Sequence, residues 1–191
     1  MEWAVTLLGV AYVWTLPALA SAGFARSGAH SISGFIETPG ATGAMAVATA
    51  GPIALMVMLE AKMWDADCCS ELKLFARQSS FAMFLLGYAG FLSFNVNSYE
   101  MLHYGSVMLF ALGFCIHAVQ RHKDLGSSLA QAALVVGVIA FVAMIIMAYN
   151  DVTSMWFWAT ECIGFTMLLV FTPIEMHARK VRSQRFMVLV G

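Results

Sequence analysis

Charged side chains are scarce in this sequence. Asp, Glu, Lys and Arg make up 11% of its 191 residues, and 61% of the residues are hydrophobic. A soluble domain carries roughly 25% charged residues, so this chain has too few charges to cover a water-facing surface. The composition excludes a soluble globular domain and predicts a protein that lies within a membrane.

The sequence also lacks the motifs of the common catalytic and cofactor sites. It contains no P-loop, no HExxH, no Gly-x-Ser-x-Gly and no cluster of Cys and His with metal-ligand spacing. A retinal Schiff base needs a lysine deep in a membrane span, whereas every Lys here lies near the end of an apolar stretch or in a connection. These absences predict a protein that is not an enzyme and has no metal ion, no cofactor and no nucleic-acid partner.

Cysteine is rare as well, with four residues in the chain. Cys115 and Cys162 fall inside apolar stretches, where a small apolar packing role is expected. Cys68 and Cys69 lie in a connection that is predicted to face the cytoplasm, a reducing compartment that disfavours disulfides. Adjacent cysteines beside a membrane span are candidates for palmitoylation, so these two are predicted lipidation sites.

Six apolar stretches account for most of the chain. They cover residues 3–23, 44–63, 79–96, 101–120, 128–149 and 154–174. At a rise of about 1.5 Å per residue, each is long enough to cross a hydrocarbon core of about 30 Å, or nearly so. The first is predicted to be a span and not a secretory signal, because Glu2 replaces the usual basic start and Pro17 interrupts it. The predicted fold is all-α: a polytopic membrane protein with one domain, residues 1–191, that forms a bundle of six transmembrane helices.

Basic residues fall on one side of this six-span plan. Nine of the ten follow the second, fourth or sixth span, and only Arg26 lies on the other side. The nine are Lys62, Lys73, Arg77, Arg121, Lys123, Arg179, Lys180, Arg182 and Arg185. Short loops that are rich in Lys and Arg stay in the cytoplasm during insertion. Both termini are therefore predicted to be cytoplasmic.

Four polar side chains in the exoplasmic half of the spans form a candidate ligand-binding site. Glu161 is the deepest charge, His103 is its predicted partner, and Asn95 and Asn97 close the third span. An ionisable residue inside a span is costly to insert, by about 2.5–3.5 kcal/mol, and by default points inward and has a function. The prediction is a pocket for a lipid or a small polar ligand. A structural hydrogen bond between spans four and six and a proton-coupled role are the alternatives.

Four residues near the cytoplasmic end of the fourth span have a different expected role. They are predicted to lie at the membrane interface, where basic side chains meet lipid phosphates, and they are His117, Arg121, His122 and Lys123. An alternative for His117 is a single haem shared with His177, because haem axial ligands face each other from two helices.

Three segments resemble the DRAM/Frag/Sfk family of six-span membrane proteins. The loop Ile32–Pro39 (ISGFIETP) is similar to the family's Ile-Ser…Thr-Pro-Pro signature, with Gly40 in place of the second Pro. His103–Gly105, followed by Gln120, resembles the family's His-x-x-Gly-Ala helix, which closes with a Gln. Ala159–Glu161 resembles its Ala-x-x-Glu segment. The three segments occur in the family's order.

The resemblance implies a non-catalytic membrane protein that interacts with membrane lipids or takes part in membrane trafficking or autophagy. It also implies an endolysosomal or Golgi membrane. The alternative is an accessory structural subunit of a larger energy-converting membrane complex, with other membrane subunits as its partners. A channel or transporter subunit is disfavoured, because only one charge lies deep and no pair of broken helices is evident.

Overall fold

Helices account for all the regular secondary structure in the part of the chain that the structure describes. This computed structural model describes residues 2–19, 22, 31–66, 71–125, 127–150, 152 and 155–190, without the side chains of 64–66, 122–125 and 182–190. The helices are α1 (Glu2–Leu19), α2 (Ile32–Phe35), α3 (Pro39–Ala66), α4 (Glu71–Ser93), α5 (Glu100–Leu125), α6 (Ser128–Tyr149) and α7 (Met155–Val190). The predicted all-α fold class is confirmed.

Five of these helices are long and apolar enough to cross a bilayer. Their apolar segments are Glu2–Leu19, Pro39–Met63, Glu100–Arg121, Ser128–Tyr149 and Met155–Val181. They match five of the six predicted spans and are compatible with an integral, multi-pass membrane protein. The helix at the predicted third span, α4, is not among the five. Its apolar part is short, because Arg77, Gln78, Ser79 and Ser80 occupy its second and third turns.

α4 and α5 make the most extensive contact of any two described helices, and glycine allows them to approach closely. A Cβ on Gly87 would lie 2.6 Å from the Cα of Phe110, and one on Gly113 would lie 2.9 Å from the Cα of Phe84. Small residues let membrane helices approach in this way. Gly87 and Gly113 therefore mark the faces on which α4 and α5 pack.

The other helices pack around this pair less evenly. α6 lies against α7, and α1 lies against both α3 and α7, whereas α5 and α6 meet over a much smaller area. Aromatic rings join the α4–α5 pair to α7, since Phe165 lies 5.7 Å from Phe91 and 5.6 Å from Phe110 between ring centroids. The limited contact between α5 and α6 leaves a groove, which is described below.

The segment between α1 and α3 folds back into the bundle. Ile32 and Ile36 are buried, with 0% and 5% of their surface exposed. The Oγ of Ser31 accepts a hydrogen bond of 2.9 Å from the backbone N–H of Gly34 and so caps α2. The Thr42 hydroxyl donates to the carbonyl of Ile36 at 2.6 Å and ties the segment to α3. Residues 31–37, called the inward loop below, therefore contribute Ile32 and Ile36 to the core.

Candidate functional site

His103 attaches α5 to the inward loop. Its ring is 1% exposed, with Nδ1 at 2.7 Å from the carbonyl oxygen of Phe94 and Nε2 at 2.9 Å from the Oγ of Ser33. Because a carbonyl oxygen only accepts hydrogen bonds, Nδ1 carries a proton and donates to it. In the neutral ring, Nε2 then accepts from the Ser33 hydroxyl. His103 thus joins the end of α4 and the inward loop through one side chain.

Glu161, which lies on α7, binds Ile32, the residue before Ser33 in the inward loop. Its Oε2 accepts a hydrogen bond of 2.6 Å from the buried backbone N–H of Ile32, the first residue of α2. The first N–H groups of a helix have no partner within the helix, and an unsatisfied buried donor costs about 1–3 kcal/mol. The predicted partnership of His103 and Glu161 is therefore indirect, because they bind the consecutive residues Ser33 and Ile32.

Asn95 makes a third contact to the inward loop, and Asn97 does not. The side-chain N–H of Asn95 donates to the carbonyl of Glu37 at 2.7 Å, and its Oδ1 accepts from the backbone N–H of Asn97 at 2.8 Å. The Asn97 residue is exposed. Three of the four predicted site residues thus converge on one loop, while Asn97 contributes only its backbone to the turn beside it.

Replacing His103 by Phe should release the inward loop. The Ser33 hydroxyl and the Phe94 carbonyl would lose their partners, and each loss costs about 1–3 kcal/mol. We expect the backbone amides of residues 31–37 to exchange with deuterium at least about 30-fold faster, because the two losses together amount to about 2 kcal/mol or more. Tyr99→Phe, at an exposed ring nearby, is the control and should leave the exchange unchanged. Equal exchange in the two variants would show that His103 does not hold the loop.

A polar pocket lies between the inward loop, the start of α3 and the end of α4. It has a volume of about 530 Å³, within the range of about 300–1,000 Å³ that is typical of ligand sites. Its polar lining consists of Ser33, Glu37, Thr42, Ser93, Asn95 and His103, and the rest of its wall is largely apolar. Two of the predicted site residues, Asn95 and His103, therefore border a cavity of ligand size.

An apolar groove runs between α5, α6 and α7, where α5 and α6 make limited contact. Its volume is about 70 Å³, much smaller than that of the polar pocket. Phenylalanine rings form much of its wall (Phe110, Phe114, Phe141 and Phe165), and its polar members are Ser33, Thr160 and Glu161. Ser33 and Phe91 line both cavities. Glu161 is thus placed at the groove and not at the polar pocket.

The cysteines divide between described and undescribed parts of the chain. Cys115 and Cys162 are free thiols, and Cys162 is buried. Cys115 lines the apolar groove. The predicted lipidation sites Cys68 and Cys69 lie outside the described residues. Among the residues that the structure does describe, no group of three or more His, Cys, Asp or Glu is placed to hold a metal ion.

A buried charge cluster at the other end of the bundle was not foreseen from the sequence. It comprises Glu60 on α3, Arg77 on α4, His117 and Arg121 on α5, and Glu175 on α7. None of the five residues is more than 4% exposed. Four helices therefore contribute charged or titratable groups to one buried site at the end of the bundle away from the inward loop.

Arg121 joins the two carboxylates of the charge cluster. Arg77 Nε donates to Glu60 Oε1 at 2.7 Å. Arg121 Nη1 and His117 Nε2 each lie 3.4 Å from Glu60 Oε2. Arg121 also forms an ion pair with Glu175. The prediction that His117 and Arg121 meet lipid phosphates is wrong, because both are buried and face carboxylates from neighbouring helices. The side chains of His122 and Lys123, which share that prediction, lie outside the described part of the structure.

The contacts of His117 also bear on the alternative that it shares a single haem with His177. Its Nε2 faces Glu60 at 3.4 Å, and its ring packs on Phe81 with centroids 5.0 Å apart. His177 is exposed on α7. The group at Nε2 of His117 is therefore a carboxylate and not a second histidine.

The chemistry that these sites offer is recognition by hydrogen bonds, charge and shape. The polar pocket supplies hydroxyl, amide, imidazole and carboxylate groups, and the groove supplies an apolar wall that ends at a carboxyl group. No protein-family model, no curated protein and no solved structure matches this chain.

Proposed function

We propose that this chain is a non-catalytic, six-span membrane protein that binds membrane lipid in its exoplasmic half and has both termini in the cytoplasm. The support for a sixth span comes from the surface of α4. Two of the four residues that lower its hydropathy are buried in the protein, since Arg77 is 4% and Ser80 is 2% exposed, and Gln78 and Ser79 are half-buried. Its outer face includes Leu86, which is 67% exposed. A helix of 23 residues is about 35 Å long, enough to span a bilayer.

The single observation that carries the lipid proposal is that a polar pocket near one end of the bundle adjoins an apolar groove that runs along the middle of α5 and α6. The polar pocket and the apolar groove share Ser33 and Phe91. An amphiphilic molecule needs both kinds of surface next to each other, and a bilayer supplies such molecules at high concentration. Membrane lipids are therefore the ligand class that fits the two cavities best.

The contacts of the inward loop support a DRAM-like protein. The segments on which the resemblance rests come together, because Glu161 binds Ile32 and His103 binds Ser33. The resemblance favours a role in lipid handling, membrane trafficking or autophagy at an endolysosomal or Golgi membrane.

Filling the polar pocket should remove bound lipid. Gly43 lines the pocket, and a Cβ there would have no neighbour within 4 Å, so Gly43→Leu adds a side chain without a clash at its Cβ. We expect the lipid that remains with the purified protein, measured by mass spectrometry, to fall about tenfold, as for a loss of about 1.4 kcal/mol in affinity.

Gly40→Leu is the matched control for this test. Gly40 is also in the first turn of α3 and has no atom within 4 Å of an added Cβ, but it does not line the pocket. Equal amounts of lipid in the two variants would refute the lipid proposal. The alternative, an accessory subunit of a larger membrane complex, predicts that other subunits accompany the native protein and that neither variant changes its lipid.

A further inference from the structure

Together, the two cavities have room for the polar head group and one acyl chain of a lipid. The groove extends along α6 from Leu134 to Met144, ten residues that rise about 15 Å. Along α5 it extends from Val107 to Cys115. An acyl chain that enters at the Ser33–Phe91 junction would therefore lie along the helices towards the middle of the bundle.

The small volume of the groove favours a linear chain. Its volume of about 70 Å³ is far smaller than the 530 Å³ of the polar pocket. A narrow slot accepts a flexible chain of methylene groups, whereas a fused ring system needs a wider cavity. Gly164 adds room on the α7 side, since a Cβ at this position would meet no atom within 4 Å.

The lining of the cavities favours an uncharged, hydroxyl-bearing head. Carboxylate, amide and hydroxyl oxygens accept hydrogen bonds from hydroxyl groups, and Glu37 lines the pocket while Glu161 lines the groove. Among the side chains that the structure describes, no lysine or arginine lines either cavity. Arg26, which the sequence puts on the same side, is outside the described residues. A phosphate would be desolvated beside carboxyl groups with no described cation to pair with it, which is unfavourable.

We propose that the two cavities form one site for a neutral glycerolipid, with its glycerol hydroxyl groups in the polar pocket and one acyl chain in the apolar groove. This inference rests on the proposed function and narrows it to a ligand class. Ser33 and Phe91 lie where the head meets the chain. A second acyl chain, where the lipid has one, remains in the surrounding bilayer.

The test uses the full-length protein in phosphatidylcholine vesicles and a photoreactive monoacylglycerol with a diazirine in its acyl chain. After irradiation, peptide mass spectrometry locates the labelled residues. We expect labelling within residues 107–115 and 134–144 on the groove side. A lysophosphatidic acid with the same diazirine chain should label these residues about tenfold less, because its phosphate lacks a cationic partner.

Two glycine variants connect the labelling to the groove. Gly164→Leu fills the groove and should lower labelling by the monoacylglycerol probe about tenfold. Gly105→Leu is the control, because a Cβ at Gly105 also has no neighbour within 4 Å but Gly105 lines neither cavity. Circular dichroism shows whether both variants keep their helices, and Gly164→Ala serves as a smaller filling variant if Gly164→Leu does not fold.

The outcomes separate this inference from the proposed function. Equal labelling by the phosphate-bearing probe, or labelling that Gly164→Leu and Gly164→Ala leave unchanged, would overturn the neutral-glycerolipid site. A sterol that competes better than the monoacylglycerol would overturn it too. If Gly43→Leu still removes co-purified lipid in that case, lipid binding stands and only the ligand class is wrong. If Gly43→Leu also has no effect, both proposals fail.

Discussion

Replacing Glu60 by Gln should lower the free energy of unfolding by about 3–5 kcal/mol. Glutamine keeps the size of the side chain but removes the negative charge that faces Arg77 at 2.7 Å and Arg121 at 3.4 Å. Both guanidinium groups are at least 95% buried, so they would remain inside the bundle with one carboxylate, Glu175, in place of two. Unfolding of the purified protein by sodium dodecyl sulfate in mixed micelles, followed by circular dichroism, measures the change.

An exposed carboxylate provides the control for this substitution. Glu71→Gln makes the same chemical change at the exposed first turn of α4, where the loss should be below about 1 kcal/mol. If Glu60→Gln were as stable as Glu71→Gln, the charge cluster would not hold α3 against α4 and α5. A second variant, Glu60→Gln with Arg77→Met, should recover part of the loss, because removing both partners of a buried pair is less harmful than removing one.

The charge cluster shows why part of this structure escapes sequence analysis. Each of its charged residues lies near the end of an apolar stretch, where a charge is ordinarily explained by contact with water or lipid phosphate. Whether Glu60 faces Arg121 or the bilayer depends on the rotation of α3 and α5 about their axes, and hydropathy carries no information on that rotation. The sequence does contain one indication of the cluster. Two acidic residues and two basic residues lie on four different helices at the same predicted depth, and these are Glu60, Glu175, Arg77 and Arg121.

The candidate site was predictable in its depth but not in its contacts. Orientation from the basic residues put Asn95, His103 and Glu161 in one half of the membrane, and all three bind the inward loop. The sequence predicts a direct contact between His103 and Glu161. It could not show that the inward loop would lie between α5 and α7 and that both side chains would bind this loop instead. Irregular backbone leaves no periodic pattern, so its path could not be inferred before the helices were in place.

The helices themselves were the most predictable part, with α4 as an instructive exception. Long apolar runs determine α1, α3, α5, α6 and α7 because every backbone polar group in a bilayer must be satisfied inside the helix. In α4, Arg77 and Ser80 interrupt the run, yet both are buried against other helices. Mean hydropathy treats every side chain as if it faced lipid, and it therefore undervalues a helix whose polar residues face protein.

Substituting alanine for Gly87 or Gly113 should each destabilise the protein by about 1–3 kcal/mol, the usual effect of overpacking. The added Cβ at Gly87 would lie 2.8 Å from the carbonyl carbon of Leu109, and the one at Gly113 would lie 2.9 Å from the carbonyl carbon of Met83. These are backbone atoms, so no side chain can rotate away and the two helices must move apart. Unfolding in mixed micelles, as for Glu60→Gln, measures the loss.

The losses of stability from the two glycine substitutions should be less than additive. Once the helices have moved apart to accommodate one new methyl group, the second fits with less additional movement, so the double variant should lose less than the sum of the two single losses. Gly105→Ala on α5 is the control, because its Cβ meets nothing within 4 Å, and it should be as stable as the parent or slightly more so. Additive losses would mean that each methyl group disturbs its surroundings separately. A loss at Gly105 equal to that at Gly87 would mean that glycine matters for the helix itself and not for the approach of α4 to α5.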